Sequence, residues 1–301
     1  MLTRRGFLAS LPMAASALAA QSGPPKRIGF VDDALDNFHA RVFLDAIREP
    51  LKDRGFVVAG ATALQAAPSR EWAEKRQLRW FDDVASLDRE VDVYAVLAPS
   101  TPATHEELCK KVLPFGKPTF VDKTFAPDLA TALRIFELAD RHQTRIQSSS
   151  ALRYTAVQKW VAEVGREQVR HVVTWAPGRS YDEYAVHPLE AAVSCLGPGA
   201  TSLRRRGAGA ESQLQIDWPD GRTAVVNVYT GRKTPYAAMV TTSKESRWFE
   251  VDTKPLFVDA ASAMLDFFLG RDLVDRRETL SIMRILDASR DPAALGAGVV
   301  L

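Results

Sequence analysis

Cysteine is nearly absent from this chain of 301 residues, which has two, Cys109 and Cys195, one in each half. Two such residues make no disulfide framework and no metal-ligand spacing, and a chain of this length buries enough core to do without a staple. Both are read as free, buried, small hydrophobes, and no metal site is expected. An excess of one charge is missing as well. The formal net charge is +2, and two of the positive charges are Arg4 and Arg5 at the extreme N-terminus. A nucleic acid or an anionic membrane surface has no basic patch to recognise. No apolar run reaches the ~20 residues of a membrane span, and there is no internal repeat or low-complexity segment. With 46% hydrophobic residues, what remains is an ordinary globular composition, long enough for two packed domains.

The first residues, "TRRGFLASLPMAASALAA", combine a twin arginine, a short apolar run broken by Pro12 and a small-residue site near Ala19 or Ala20. This pattern is a Tat-type export signal over residues 1–20 rather than an anchor helix, because the run is too short to span a bilayer. The mature protein is expected to be exported by the Tat route to the periplasm, with no membrane span after cleavage.

Residues 26–150 alternate short apolar runs with helical patterns, the signature of parallel strands joined by crossover helices. "RIGFV", "FVVAGAT", "DVYAVLAP", "PTFVDKT" and "TRIQSSS" read as strands. "HARVFLDAIREPLKDRG" reads as one helix stopped by its glycine, "THEELCKKVLPFG" as a second, and "PDLATALRIFELADRH" as a third with Leu129, Leu133 and Phe136 on one face. The expected fold is α/β: a Rossmann-like, doubly wound parallel sheet. From Ala151 to residue 301 the texture changes to an α+β domain. Strand-like runs joined by turns, among them a "PDG" hairpin signal, predict a mostly antiparallel sheet closed by two helices. A homo-oligomer through that C-terminal sheet is a further expectation.

The stretch "DVYAVLAPSTPATHEELCKKVLPFGKPTFVDKTFAPDLATALRIFELADRH", with "YAVHPLEAAVSCLGPG" and "ETLSIMRILDASR" after it, resembles the Gfo/Idh/MocA oxidoreductase family over nearly the whole mature chain. The resemblance implies a hydride exchanged between NAD or NADP and a carbohydrate-like molecule: a sugar, a polyol or a related derivative. By the same resemblance Lys123, His187 and Glu190 are the catalytic candidates. Asp32, Ala34, Asn37, Pro99, His105 and Asp122 stand at cofactor-binding positions, and Arg153 and Tyr154 are candidates for the substrate. Asp122 and Thr124 replace the glutamate and proline of the family's lysine motif. A lysine and a histidine suit the proton that enters or leaves the hydroxyl at the reacting carbon.

One further absence bears on the cofactor. A dinucleotide turn uses glycines to bring the backbone close to the pyrophosphate. The stretch "IGFVDDALDNFHARVF" has Asp32, Ala34 and Asn37 at those places, with Asp33 and Asp36 interleaved. Carboxylates there oppose a doubly charged group. After the second strand, "AGATALQ" offers no acidic residue for a ribose and no arginine for a 2′-phosphate. Two other readings follow: a non-catalytic carbohydrate-binding or scaffold protein that keeps the fold without the dinucleotide, or a nicotinamide-assisted glycoside hydrolase or lyase.

Overall fold

The computed structural model describes residues 23–271 and 273–301; the expected leader lies outside them. The N-terminal domain runs β1 (Lys26–Asp32), α1 (Phe38–Arg48), β2 (Phe56–Ala63), α2 (Ala66–Lys75), α3 (Val84–Asp88), β3 (Val93–Val96), α4 (His105–Val112), β4 (Thr119–Val121), α5 (Leu129–Arg141) and β5 (Ile146–Ser148). Its five strands are parallel, in the order β2-β1-β3-β4-β5. Helices cover both faces. Ile28, Phe30 and Phe120 pack with α1 and α2, while Val31, Val96 and Val121 pack with α4 and α5. Strands buried on both sides must be apolar throughout, and all four residues of β3 are buried.

Helix α1 buries Ala40, Phe43, Leu44 and Ile47, the spacing of one helical face. It is shorter than its sequence suggests. Pro50 cannot continue the hydrogen-bond ladder, so the helix ends at Arg48 and a separate 3-10 turn, Lys52–Arg54, leads to Gly55 at φ 72°. On α5 the buried set is Thr131, Ala132, Ile135, Phe136 and Ala139. Leu133, expected with Phe136, is half exposed; the small Ala132 is what fits beneath the helix.

The second domain contains α6 (Ala156–Val164), β6 (Val169–Gly178), α7 (Tyr181–Tyr184), α8 (Val186–Leu196), β7 (Ser202–Arg206), β8 (Glu211–Asp217), β9 (Thr223–Thr230), β10 (Ala237–Thr242) and β11 (Ser246–Glu250). Then come α9 (Leu256–Phe268), α10 (Arg276–Arg290), α11 (Pro292–Leu295) and β12 (Val299–Val300). The seven-stranded sheet has the order β11-β10-β6-β9-β8-β7-β12 and is antiparallel apart from the β6–β9 pair. The expected hairpin joins β8 to β9, with Gly221 at φ 76° supplying the left-handed position that a side chain resists. Helix α8 lies on one sheet face, where Thr174 Oγ1 donates to the Pro188 carbonyl at 3.1 Å. On the other face Trp175 and Trp248 meet with ring centroids 5.1 Å apart, and Trp248 is 53% exposed.

Helix α9 belongs to the second half of the chain but packs on the first. Ala260, Met264, Phe267 and Phe268 join the core formed by α1 and β1, and Arg54 pairs with Asp266 at 2.8 Å. At its start Phe257 meets Phe38 edge to face, with centroids 5.0 Å apart. This contact sets one wall of the cleft between the domains.

Candidate functional site

A cavity of about 580 Å³ opens where the carboxyl ends of β3, β4 and β5 face α7, α8 and the start of α9. In a parallel sheet this is the edge at which ligands bind. Strand β4 is followed directly by Asp122 and Lys123, which are 2% and 6% exposed. Lys123 Nζ donates to the Pro99 carbonyl at 3.1 Å, and the Asp122 carboxylate accepts the Lys123 backbone N–H at 2.8 Å. From the opposite domain α8 brings His187 to the same cavity. Its Nδ1 lies 2.8 Å from Ser150 Oγ, and its ring sits between Tyr184 and Tyr236. Burial, with Lys123 and His39 nearby, holds the His187 pKa well below its ordinary value, so the imidazole is neutral. Ser150 Oγ already accepts the Leu152 N–H. If its hydroxyl donates to Nδ1, the ring's remaining proton is on Nε2. Gly178 allows Tyr184 its place, since a Cβ there would lie 2.5 Å from that side chain. Ser100 Oγ donates to Glu183 at 3.2 Å and ties the two walls at the rim.

Among the cavity residues that the sequence did not single out, His39 bears most on its chemistry. His39, in the first turn of α1, places Nδ1 2.6 Å from Asp122 Oδ2. Burial alone would raise the Asp122 carboxyl, but His39 and Lys123 outweigh it and hold it below the usual carboxylate range. A lone histidine before an apolar helical stripe gives no sequence signal; only the approach of α1 to the end of β4 creates the pair.

Of the residues singled out in the sequence, Asn37, Pro99, Asp122, Lys123 and His187 line the cavity, and the others lie off its wall. Glu190 is buried one turn beyond His187 in an ion pair with Arg153, whose Nη1 is 2.6 Å from Glu278; Arg166 pairs with Glu278 at 2.6 Å. Burial pushes the Glu190 carboxyl up in spite of Arg153. Glu190, expected as a catalytic residue, and Arg153, expected to contact the substrate, instead form a structural network off the cavity wall, each held by a partner of opposite charge. Tyr154 bonds Ser149 Oγ at 2.8 Å and lines a neighbouring hollow with Thr155 and Leu256. His105 is fully buried, with its ring nitrogens 3.0 Å from the carbonyl oxygens of Phe125 and Leu97. It ties the ends of β3 and β4 together and does not reach a ligand. Cys109 and Cys195 are free and buried. Among the described residues no cluster has the make-up of a metal site, and no helix is long and apolar enough to cross a membrane.

The turn between β1 and α1 was expected to surround a pyrophosphate with carboxylates. Only one of them points inward. Asp36 is exposed, and Asp33 accepts from Gln65 Nε2 at 3.2 Å near the surface. Asp32, 1% exposed, sits in the crevice between β1 and β3. Its carboxylate accepts the N–H groups of Ala98 at 3.0 Å and Ala34 at 3.3 Å, and the Asn37 amide at 2.8 Å. The Leu35 N–H goes to Ser69 Oγ, and the Asn37 side chain caps α1 by accepting the Ala40 N–H. Donors that a dinucleotide turn leaves to a phosphate are thus taken by the chain's own oxygens. Phe38, half exposed, stands with Phe257 at the helix start. This turn does not fit a pyrophosphate.

Residues 36–150 match the Gfo/Idh/MocA model, described as an oxidoreductase family with an NAD-binding Rossmann fold, and this stretch of the chain is a domain of that family. Inositol 2-dehydrogenase of Paracoccus denitrificans is 36% identical over 93 residues, a stretch covering 29% of this chain and 28% of that enzyme. The apo scyllo-inositol dehydrogenase of Lactobacillus casei superposes with a TM-score of 0.77 at 11% identity, over 92% of this chain and 98% of that one. GenD2 from gentamicin A biosynthesis, solved with NAD, has a TM-score of 0.76 at 14% identity, over 97% and 99%. These two likenesses concern the fold.

Proposed function

We propose that the interdomain cleft binds a polyhydroxylated, carbohydrate-like small molecule, and that Lys123 and His187 exchange the proton of one of its hydroxyl groups. The observation that carries this reading is convergence. Two proton-carrying groups from different domains meet in one cavity whose wall also holds Asn37, Ser100, Ser149, Tyr184 and Tyr236. Few directional donors among apolar rings are what a small polar ligand requires. The Lys123 ammonium favours an oxygen that is losing its proton, and a neutral His187 can give or take that proton through Nε2. The dehydrogenases similar to this chain are named for inositols, which agrees with such a ligand. NAD or NADP, implied by the family, has no open seat at the Asp32 turn, and the reading rests on proton transfer alone.

Calorimetric titration with myo-inositol, scyllo-inositol and simple sugars tests it. At least one ligand is expected to bind, with affinity lowered about tenfold or more in Lys123→Ala and His187→Ala, the size of one lost charge-assisted hydrogen bond. No binding by any of them removes the ligand class. The carbohydrate-binding protein without turnover is supported by the same closed turn; it differs in expecting binding and no chemistry. Export by the Tat route to the periplasm is also proposed, on the twin arginine Arg4–Arg5. So is a homo-oligomer, on the open sheet face that carries Trp248.

A further inference from the structure

We propose that His39, seated against Asp122, is a catalytic acid/base residue of this cleft, and that with Lys123 and His187 it performs a nucleotide-independent proton transfer on the open-chain, α-hydroxycarbonyl form of a sugar. The proposal rests on the ligand class given above.

Three observations carry it. First, the closed turn has a second consequence. By locking the segment from Asp32 to Asn37, the Asp32 carboxylate and the Asn37 cap fix the start of α1, and the first turn of that helix carries His39 into the cavity. The place that serves a cofactor in a dinucleotide fold here presents an imidazole. Second, the imidazole is held beside a buried carboxylate. His39 Nδ1 lies 2.6 Å from Asp122 Oδ2 without the alignment of a hydrogen bond, Asp122 is itself anchored to the Lys123 N–H, and Nε2 is the nitrogen left for a ligand. The rings of Phe38, Phe43 and Phe257 surround it edge to face and limit its rotation. A purely structural histidine would sit away from the ligand space, as His105 does; His39 lines the same cavity as Lys123 and His187. Third, Lys123 follows Asp122 directly on the same strand end, so the base and an ammonium share one wall while His187 faces them from the other domain.

The step balances without a redox partner. His39 Nε2 removes the proton from the hydroxyl-bearing carbon beside the carbonyl. The C–H electron pair becomes the new C=C bond, and the carbonyl π pair moves to oxygen, giving an enediolate whose charge the Lys123 ammonium stabilises. The protonated His39 then delivers its proton to the former carbonyl carbon, while His187 gives its Nε2 proton to one oxygen and takes one from the other, so an aldose becomes a ketose and every group returns to its starting state. Atoms and charge are conserved, and nothing is oxidised overall.

The test uses the full-length protein, freed of nucleotides, in D₂O with D-glucose, D-fructose, D-xylose and D-glucuronate as probes. Proton NMR follows the loss of the C–H signal next to the carbonyl. Deuterium is expected to enter at that carbon at a rate proportional to protein, unchanged by added NAD or NADP. The rate should fall about 10²–10⁴-fold in His39→Asn, the usual loss for an acid/base group. His39→Gln serves as a second variant, and thermal melts of both establish that the fold survives. Exchange at the wild-type rate in folded His39 variants overturns the proposal, as does exchange that requires a nicotinamide. Binding of a probe without exchange overturns it and leaves the ligand class standing, whereas absence of all binding removes both.

Discussion

The carboxylate of Asp32 accepts the backbone N–H of Ala98 at 3.0 Å, bridging the carboxyl ends of β1 and β3. These are the central strands of the sheet, and the crevice between them is where a doubly wound fold seats its ligand. Ala98 holds φ at 38°, a value that an L-residue keeps only where its surroundings fix it; the bond to Asp32 is one such constraint.

The Asp32 carboxyl fills this crevice and occupies the N–H donors of Ala34 and Ala98 that a pyrophosphate would need, and it repels the phosphates wherever it is ionised. Wild-type protein is therefore expected to show no calorimetric binding of NAD or NADP below about 1 mM, roughly the 4 kcal/mol floor of weak association. Asp32→Gly frees the N–H groups of Ala34 and Ala98 and should tighten binding at least about tenfold. Micromolar binding by the wild type would mean that the turn rearranges around the phosphates.

Burial pushes the Asp32 carboxyl up from 3.8 to about 7, against the hydrogen bonds, that of Asn37 foremost, which favour its charged form. The folded state thus holds this proton more tightly than the unfolded chain does. The resulting stability is fully present below pH ~4 and is lost as pH rises through ~7, with a ceiling on the order of 4 kcal/mol. Urea midpoints measured from pH 5 to 8 should decline for the wild type, and this part of the slope should vanish in Asp32→Asn. Parallel slopes in the two proteins would show that Asp32 is ionised throughout.

The Arg153 guanidinium stands between Glu190 and Glu278, all three buried. Arg153→Met leaves two carboxylates facing each other with only Arg166 for compensation. Removing one member of a buried ion network costs about 3–5 kcal/mol. A denaturation midpoint close to wild type would contradict the structural role assigned to this network.

Trp248 is expected to be covered by a second copy of the chain. Light scattering at micromolar protein should give a multimeric mass for the wild type and a monomeric one for Trp248→Glu, because an ionised carboxylate in an apolar interface is strongly disfavoured. A monomeric wild type disposes of the oligomer.

Replacing Arg4 and Arg5 by lysine should leave the protein in the cytoplasm if the leader is a Tat signal. Fractionation of cells expressing the double variant reads this directly, and undiminished export would point to another route.

The sequence by itself determined the two-part architecture, because local patterns suffice for it. Continuous apolar runs specify strands buried on both faces, and the PDG turn specifies the β8–β9 hairpin whatever packs around them. It also placed Lys123 and His187, since their motifs are short and contiguous. Only the tertiary structure decided which charges are chemical and which are structural. Glu190 and Arg153 stand as close to His187 and Lys123 in motif terms as any catalytic pair, but Glu278, 125 residues from Arg153 in sequence, binds them into the interior. His39 is the converse: an unremarked residue on an amphipathic helix, joined to Asp122 only because α1 begins where β4 ends. The aspartates of the phosphate turn announced a conflict with a dinucleotide. That a single one, Asp32, turns inward was settled by the Ala98 N–H, 66 residues away, joining the local donors Ala34 and Asn37, and no local pattern encodes that distant donor.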